Sequence, residues 1–334
     1  LEGLASFDVR LQRLHQIKNY HNQGMLFKRR RRRFIMQETT LSKDDSRITK
    51  IDIKAEDFSD RYGFKPDTDE RKTFFLLCSA IRQCGETARA NQSVIHRSFK
   101  YDGSILTETD LAVSDVIVKT VKSLYPDCNV VTEEADLKDF SDSARYTFIL
   151  DPIDGTDAYS QGLPAWAVAL GILDCERKVC GAIIYAPRFG VGTQDLFICS
   201  LPDEDEVYLN GKVHKAPEHY EVPRQMMASS NTLNYVDVSR YSGKIRAFGS
   251  SIIHIICPAF ISNIDCTINT YCFAWDICSA HAIIKKSGLE MCYLDGSDIV
   301  YDDRLLIKRE EIKMPVIIGS KACVNWMKDN LKMR

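Results

Sequence analysis

Two aspartates three residues apart close an apolar run in Phe148-Ile149-Leu150-Asp151-Pro152-Ile153-Asp154-Gly155-Thr156. A buried carboxylate is costly unless it is paired, hydrogen-bonded or bound to metal. Other acids share this placement at the edge of an apolar element. Asp110 stands near the start of a helical pattern, Glu133 and Glu134 follow Val130-Val131-Thr132, and Asp276 follows Trp275 near another helix start. Strand ends deliver side chains to the rim of an α/β sheet, where clefts form. Carboxylates that converge there repel one another, and a hard cation such as Mg²⁺, which takes oxygen ligands, relieves the repulsion.

The same turn carries features suited to phosphate. Pro152 stiffens it, having a fixed φ and no N–H. Gly155 lets the backbone approach a ligand closely. Thr156-Asp157-Ala158-Tyr159 opens a helix whose first N–H groups would face the same cleft, and helix starts attract anions. Carboxylates for metal beside N–H groups for phosphate is the layout of metal-assisted phosphoryl transfer. On the turn alone, the plain alternative of a hydrogen-bonded Asp-Gly turn stays open. Haloacid-dehalogenase phosphatases place one residue between their two aspartates. Here Pro152 and Ile153 both intervene, so that match fails.

The elements that must position these acids are legible from periodicity. Residues 69–91 carry apolar side chains at helical spacing, and Thr107 with Asp110 three residues on suits a second helix start. Strands are expected in Asn129–Thr132, Tyr146–Leu150, Ala165–Asp174, Lys178–Ala186 and Asp195–Ser200, with an Asn210-Gly211 hairpin turn after them. Later, Ile264–Asn269, Leu289–Asp295 and Pro315–Ser320 read as strands, and Phe273–Ser287 and Lys321–Met333 as helices. Strands mixed with helices, without a strict βαβ rhythm, indicate an α+β or layered α/β domain.

Composition sets bounds. The 334 residues are 45% hydrophobic and 27% charged with a net charge of −2, so no global field points to nucleic acid or membrane. The longest apolar run, Ser251–Ser262, is too short to span a bilayer. Twelve cysteines and seven histidines are scattered with no zinc-finger spacing, which predicts reduced thiols and a cytoplasmic setting. Residues 1–68, with the basic tract Arg29–Arg33, differ in texture and are expected to be a tail, with Met25 or Met36 as candidate starts. Residues 69–334 are expected to form the catalytic domain.

Taken together, Leu106–Asp110, Val131–Asp136, Ile149–Thr156 and Ala274–Ala280 resemble, in order and spacing, the inositol monophosphatase family of Mg²⁺-dependent, lithium-sensitive phosphatases. The resemblance covers about residues 70–334. It implies an αβαβα layered sandwich of the sugar-phosphatase type, two or three Mg²⁺ ions, a homodimer, and a small phosphorylated metabolite as substrate. From composition, no membrane partner is expected, and nucleic acid is disfavoured as one. The resemblance implies that Glu133, Asp151, the Ile153 carbonyl, Asp154 and Asp276 bind metal. Glu133 and Thr156 would orient the attacking water, Asp110 would support a weaker metal through waters, and Glu134 would back the site. Gly155 and Thr156 would hold phosphate by their backbone. Trp275 would pack the helix start against the sheet.

Three positions depart from the family pattern. Ser279-Ala280-His281 replaces a glycine-rich ending but keeps small residues. Asp157 adds a charge beside the phosphate position, so it must point away or meet metal. Asn269 stands where inositol-phosphate enzymes carry a Glu that holds a substrate hydroxyl. The expected activity is hydrolysis of a polyol, inositol or sugar phosphate. A 3′(2′),5′-bisphosphate nucleotidase ranks second, because Asp157-Ala158-Tyr159 lacks the Lys-Glu of that branch. A nucleic-acid-binding protein with an inactive phosphatase body is the alternative from another class.

Overall fold

The structure is a computed structural model, and it describes residues 56–93, 97–99, 105–137, 139–190 and 193–334. Strands β1 (Arg97–Phe99) and β2 (Ile105–Thr107) form a short antiparallel pair. A seven-stranded sheet follows the chain in order: β3 (Cys128–Thr132), β4 (Tyr146–Asp154), β5 (Ala167–Leu173), β6 (Val179–Ala186), β7 (Leu196–Ser200), β8 (Val207–Leu209) and β9 (Lys212–His214). Only β3 and β4 are parallel; the remaining neighbours are antiparallel. The β8–β9 turn runs through Asn210 and Gly211 at φ 47° and 80°, the conformation an Asn-Gly hairpin turn needs.

Next come β10 (Gln225–Ala228), β11 (Val236–Asp237), β12 (Lys244–Arg246), β13 (Cys266–Asn269), β14 (Glu290–Tyr293), β15 (Val316–Gly319) and β16 (Lys332–Met333). Five of them make a second mixed sheet in the order β12-β10-β13-β15-β14, while β11 and β16 pair separately.

The layers follow from the alternation of side chains along strands. Phe148, Leu150, Leu170 and Ile183 share a core with the helices Asp69–Asn91 and Glu108–Leu124. Ile149, Ala167, Ala169 and Ile184, on the opposite face, share a second core with the helices Ser251–Phe260 and Ala274–Lys286. Met227 and Ile318 of the small sheet face that second core, whereas Met226 and Ile317 face a third beneath the helix Lys321–Asn330. The result is the expected αβαβα sandwich.

Part of the stretch read as tail packs into this domain. Glu56–Tyr62 is a helix, and Phe58 is fully buried, with ring centroids 4.8 Å from Phe197 and 6.0 Å from Phe75. Phe64 joins the same core. Two phenylalanines in a polar stretch show no periodicity, so the pattern did not betray the element. The basic tract Arg29–Arg33 lies outside the described residues. All twelve cysteines are free, and among the described residues no helix is long and apolar enough to cross a membrane.

Candidate active site

Residues three apart in a regular strand point to opposite faces, so Asp151 and Asp154 need a break in β4 to converge. That break is a bulge: Asp151 pairs with Ala169 and Asp154 with Ala167. Three steps on β4 oppose two on β5, and the extra residue returns Asp154 to the face of Asp151. A strand-interior proline is tolerated at a bulge, which is where Pro152 sits. Both aspartates therefore face the same side as Ala167 and Ala169, toward the helix that begins at Ala274.

That helix brings Asp276. Its carboxylate accepts from the Phe273 N–H at 2.6 Å, a capping contact that holds it at the helix start. Carboxylate oxygens of Asp151, Asp154 and Asp276 all lie within 4.8 Å of one another. Asp154 is further held by the start of the helix Ser251–Phe260. The N–H groups of Ser251 and Ile252 donate to it at 3.1 and 2.9 Å, and the Ser250 hydroxyl donates as well. Asp151 differs: its Oδ1 is buried with no hydrogen-bond partner.

Glu133 opens the turn after β3, its N–H donating to the Leu150 carbonyl at 3.3 Å, beside Asp151. Its charge acts on Asp110, Asp151 and Asp154 alike. Asp110 caps the helix Glu108–Leu124, accepting from the Thr107 N–H at 2.9 Å. Its other oxygen lies 3.1 Å from the Thr156 hydroxyl, which also reaches the Ile153 carbonyl at 2.8 Å. Gly155 precedes the helix Thr156–Ser160 at φ 85°, in the left-handed region open to glycine.

Glu134 lines a groove with Leu111, Ser114 and Asp136. Asp157 points away, exposed, and accepts from Gln161 at 2.8 Å. Asn269 is fully buried, and neither atom of its amide has a partner. Trp275 packs in the central core as expected.

Burial raises these acids first, and mutual repulsion adds to it. Asp110 is pushed up to about 6 by burial, with the Glu133 charge adding, against hydrogen bonds from Thr107 and Thr156. Asp154 is pushed up to about 7 by burial, despite the Ser250, Ile252 and Ser251 donors. Burial and then Glu133, Asp154, Asp276 and Asp110 drive Asp151 well above the ordinary range. An orphaned buried oxygen amid converging carboxylates, with an all-oxygen donor set, fits a hard divalent cation.

This has a pH consequence. The unfolded carboxyls ionise near 3.8, while Asp110 and Asp154 in the fold hold protons to about 6 and about 7. Above the unfolded value the folded state binds the extra protons, so these groups cost the metal-free protein stability as pH rises through the folded values. Buried His254 and His281, lowered to about 4 by burial, act in the opposite direction and are not among the converging carboxylates. The gain in Tm on adding Mg²⁺ is therefore expected to grow from about pH 6 to about pH 8, since binding displaces protons. A gain independent of pH would contradict the assignment.

Sequence reasoning missed the helix Ser251–Phe260 and its cap. The signal was present: Gly249-Ser250-Ser251 before an apolar run is a helix-start pattern, and Ser250 accepts from the Ile253 N–H.

This chain is similar to known proteins. The model of the inositol monophosphatase family matches residues 69–320. Inositol monophosphatase 3 of Solanum lycopersicum is 26% identical over 229 residues, covering 64% of this chain and 82% of that protein. Nus factor SuhB of Pasteurella multocida (strain Pm70) is 24% identical over 212 residues, covering 60% and 76%. The structure of a staphylococcal inositol monophosphatase-1, soaked in 100 mM LiCl as an inhibitory complex, superposes with a TM-score of 0.66 at 18% identity, covering 79% of this chain and 95% of that one. With most of its length matched by the family model, this chain belongs to the inositol monophosphatase family.

Proposed function

We propose that the protein is a Mg²⁺-dependent phosphomonoesterase acting on a small polyol, inositol or sugar phosphate. The observation that carries this is the convergence of Asp151, Asp154 and Asp276 within 4.8 Å, with the Asp151 oxygen unpaired. These three, with Glu133 and the Ile153 carbonyl, would hold the ions. Bound divalent ions there supply Lewis-acid stabilisation of the phosphoryl and leaving oxygens and make water a better nucleophile.

The chain's own groups do the positioning. The Thr156 hydroxyl has one proton, and two acceptors stand ready for it, Asp110 and the Ile153 carbonyl. Its lone pairs are then free to accept from an attacking water, with Glu133 as the second acceptor. Asp110 keeps Thr156 in that rotamer. The N–H groups of Gly155 and Thr156 would take phosphate oxygens, and Gly155 permits the close approach. Asn269, fully buried here, would meet a substrate hydroxyl once substrate binding uncovers it; support comes from its unpaired amide, which both donates and accepts.

Release of inorganic phosphate tests this. Mg²⁺-dependent release from inositol 1-phosphate, fructose 1,6-bisphosphate or histidinol phosphate is expected. Preference for 3′-phosphoadenosine 5′-phosphate would favour the nucleotidase reading. Absence of release, with salt-dependent nucleic-acid binding, would favour an inactive body.

Lithium gives a second check. Li⁺ carries half the charge of Mg²⁺ and so stabilises phosphoryl oxygens less at a shared site. LiCl is expected to inhibit at Mg²⁺ levels that support turnover, while matched NaCl does not. Ionic strength alone would affect both salts equally. Equal rates in the two salts would sink this expectation.

A further inference from the structure

The carbonyl groups of the Glu133 turn are met by one side chain from far along the sequence. Arg309 Nη2 donates to the carbonyl oxygens of Thr132 at 3.1 Å and Glu133 at 2.7 Å. Its Nη1 donates to the Ala135 carbonyl and to Asp136, each at 3.2 Å. The guanidinium carbon also lies 4.9 Å from the centre of the Trp275 ring. Trp275 precedes Asp276 and stacks on Phe273 at 4.8 Å, and the Phe273 N–H is the donor to Asp276. One planar group thus touches both the turn that carries Glu133 and the helix start that carries Asp276.

Two observations separate this from an ordinary surface ion pair. The Asp136 side chain is fully exposed, so that pair adds little. The three carbonyl bonds and the ring contact remain, made by a side chain only 21% exposed. In addition, the Arg309 backbone sits at φ 54°, a conformation that glycine adopts freely and a side chain resists. Strain beneath an arginine points to a task for its side chain. Only the guanidinium fork can bond several carbonyls in one plane and lie on an aromatic ring; lysine is a single point charge.

We propose that Arg309 is a positioning residue of the metal centre. It ties the Glu133 turn to Trp275 and so fixes where Glu133 stands relative to Asp276. The proposal rests on the metal-dependent reading above.

Mg²⁺ titration calorimetry and thermal melts with and without Mg²⁺, on the full chain, test it with wild type, Arg309→Ala and Arg309→Lys. Arg309→Ala is expected to bind Mg²⁺ about 10- to 100-fold more weakly, the range for residues that orient metal ligands. Its Mg²⁺-induced gain in Tm should shrink accordingly. Arg309→Lys should fall between it and wild type. A merely structural arginine would lower the Tm of metal-free and Mg²⁺-loaded protein alike, leaving affinity and gain at wild-type values. That result would overturn the proposal. If Arg309→Ala does not fold, Arg309→Lys decides: weaker Mg²⁺ binding supports the proposal, and unchanged binding overturns it. A wild type that binds no Mg²⁺ would remove the metal reading and this one together, whereas tight binding by wild type and variants alike removes only this one.

Discussion

Asp151→Asn is expected to cut Mg²⁺-dependent phosphate release by about 10³-fold or more, beyond the roughly 10- to 100-fold cost of losing a supporting residue. The metal-free protein should stay folded with a Tm no lower than wild type. The two halves of this result belong together. Asp151 is buried among Glu133, Asp154, Asp276 and Asp110, all of which disfavour its charge. Its Oδ1 has no hydrogen bond to lose. An amide of the same shape removes repulsion and desolvation from the metal-free fold, and it removes one ligand charge from the loaded one. A residue serving only the turn would behave the other way, with stability lost and turnover kept. Phosphate release and melting, measured on one preparation, separate the two.

Gly171→Ala is expected to damage both the fold and the site. Gly171 pairs with Ile149 on the face of β5 that meets the Ala274–Lys286 helix. A Cβ there would stand 2.5 Å from Cys278 Sγ and 2.7 Å from the Ser279 backbone nitrogen. A backbone atom cannot rotate aside, so the helix must move outward, at a cost of roughly 3 kcal/mol. The same helix carries Asp276, and its shift should weaken Mg²⁺ binding too. A variant with wild-type Tm and wild-type Mg²⁺ affinity would show that the close approach is dispensable. The contact lies at Cys278 and Ser279 of the helix. A glycine on the strand is what lets the helix backbone come this close.

The acids were legible because each lies where an apolar pattern stops, and pattern edges are what sequence shows best. Helix Asp69–Asn91 and the Asn210-Gly211 turn were legible for the same local reason. Three features were not. The bulge between Asp151 and Asp154 depends on pairing with β5, and spacing alone would have put the two carboxylates on opposite faces. The burial of Phe58 depends on Phe197, far along the chain, so it left no local trace. Arg309 serves the Glu133 turn from 176 residues away, and nothing near it in sequence marks the task. Asp157 was legible as a problem but not as its solution, because its partner Gln161 is fixed only once the helix Thr156–Ser160 forms.

The most direct measurement is anomalous diffraction from crystals of the full chain soaked in Mn²⁺, which shares the octahedral oxygen preference of Mg²⁺. The expected result is an anomalous peak in contact with Asp151, Asp154 and Asp276, absent when Mg²⁺ is present in large excess. Crystals soaked at Mn²⁺ concentrations that support phosphate release, yet with no peak among those three carboxylates, would contradict the assignment of this site.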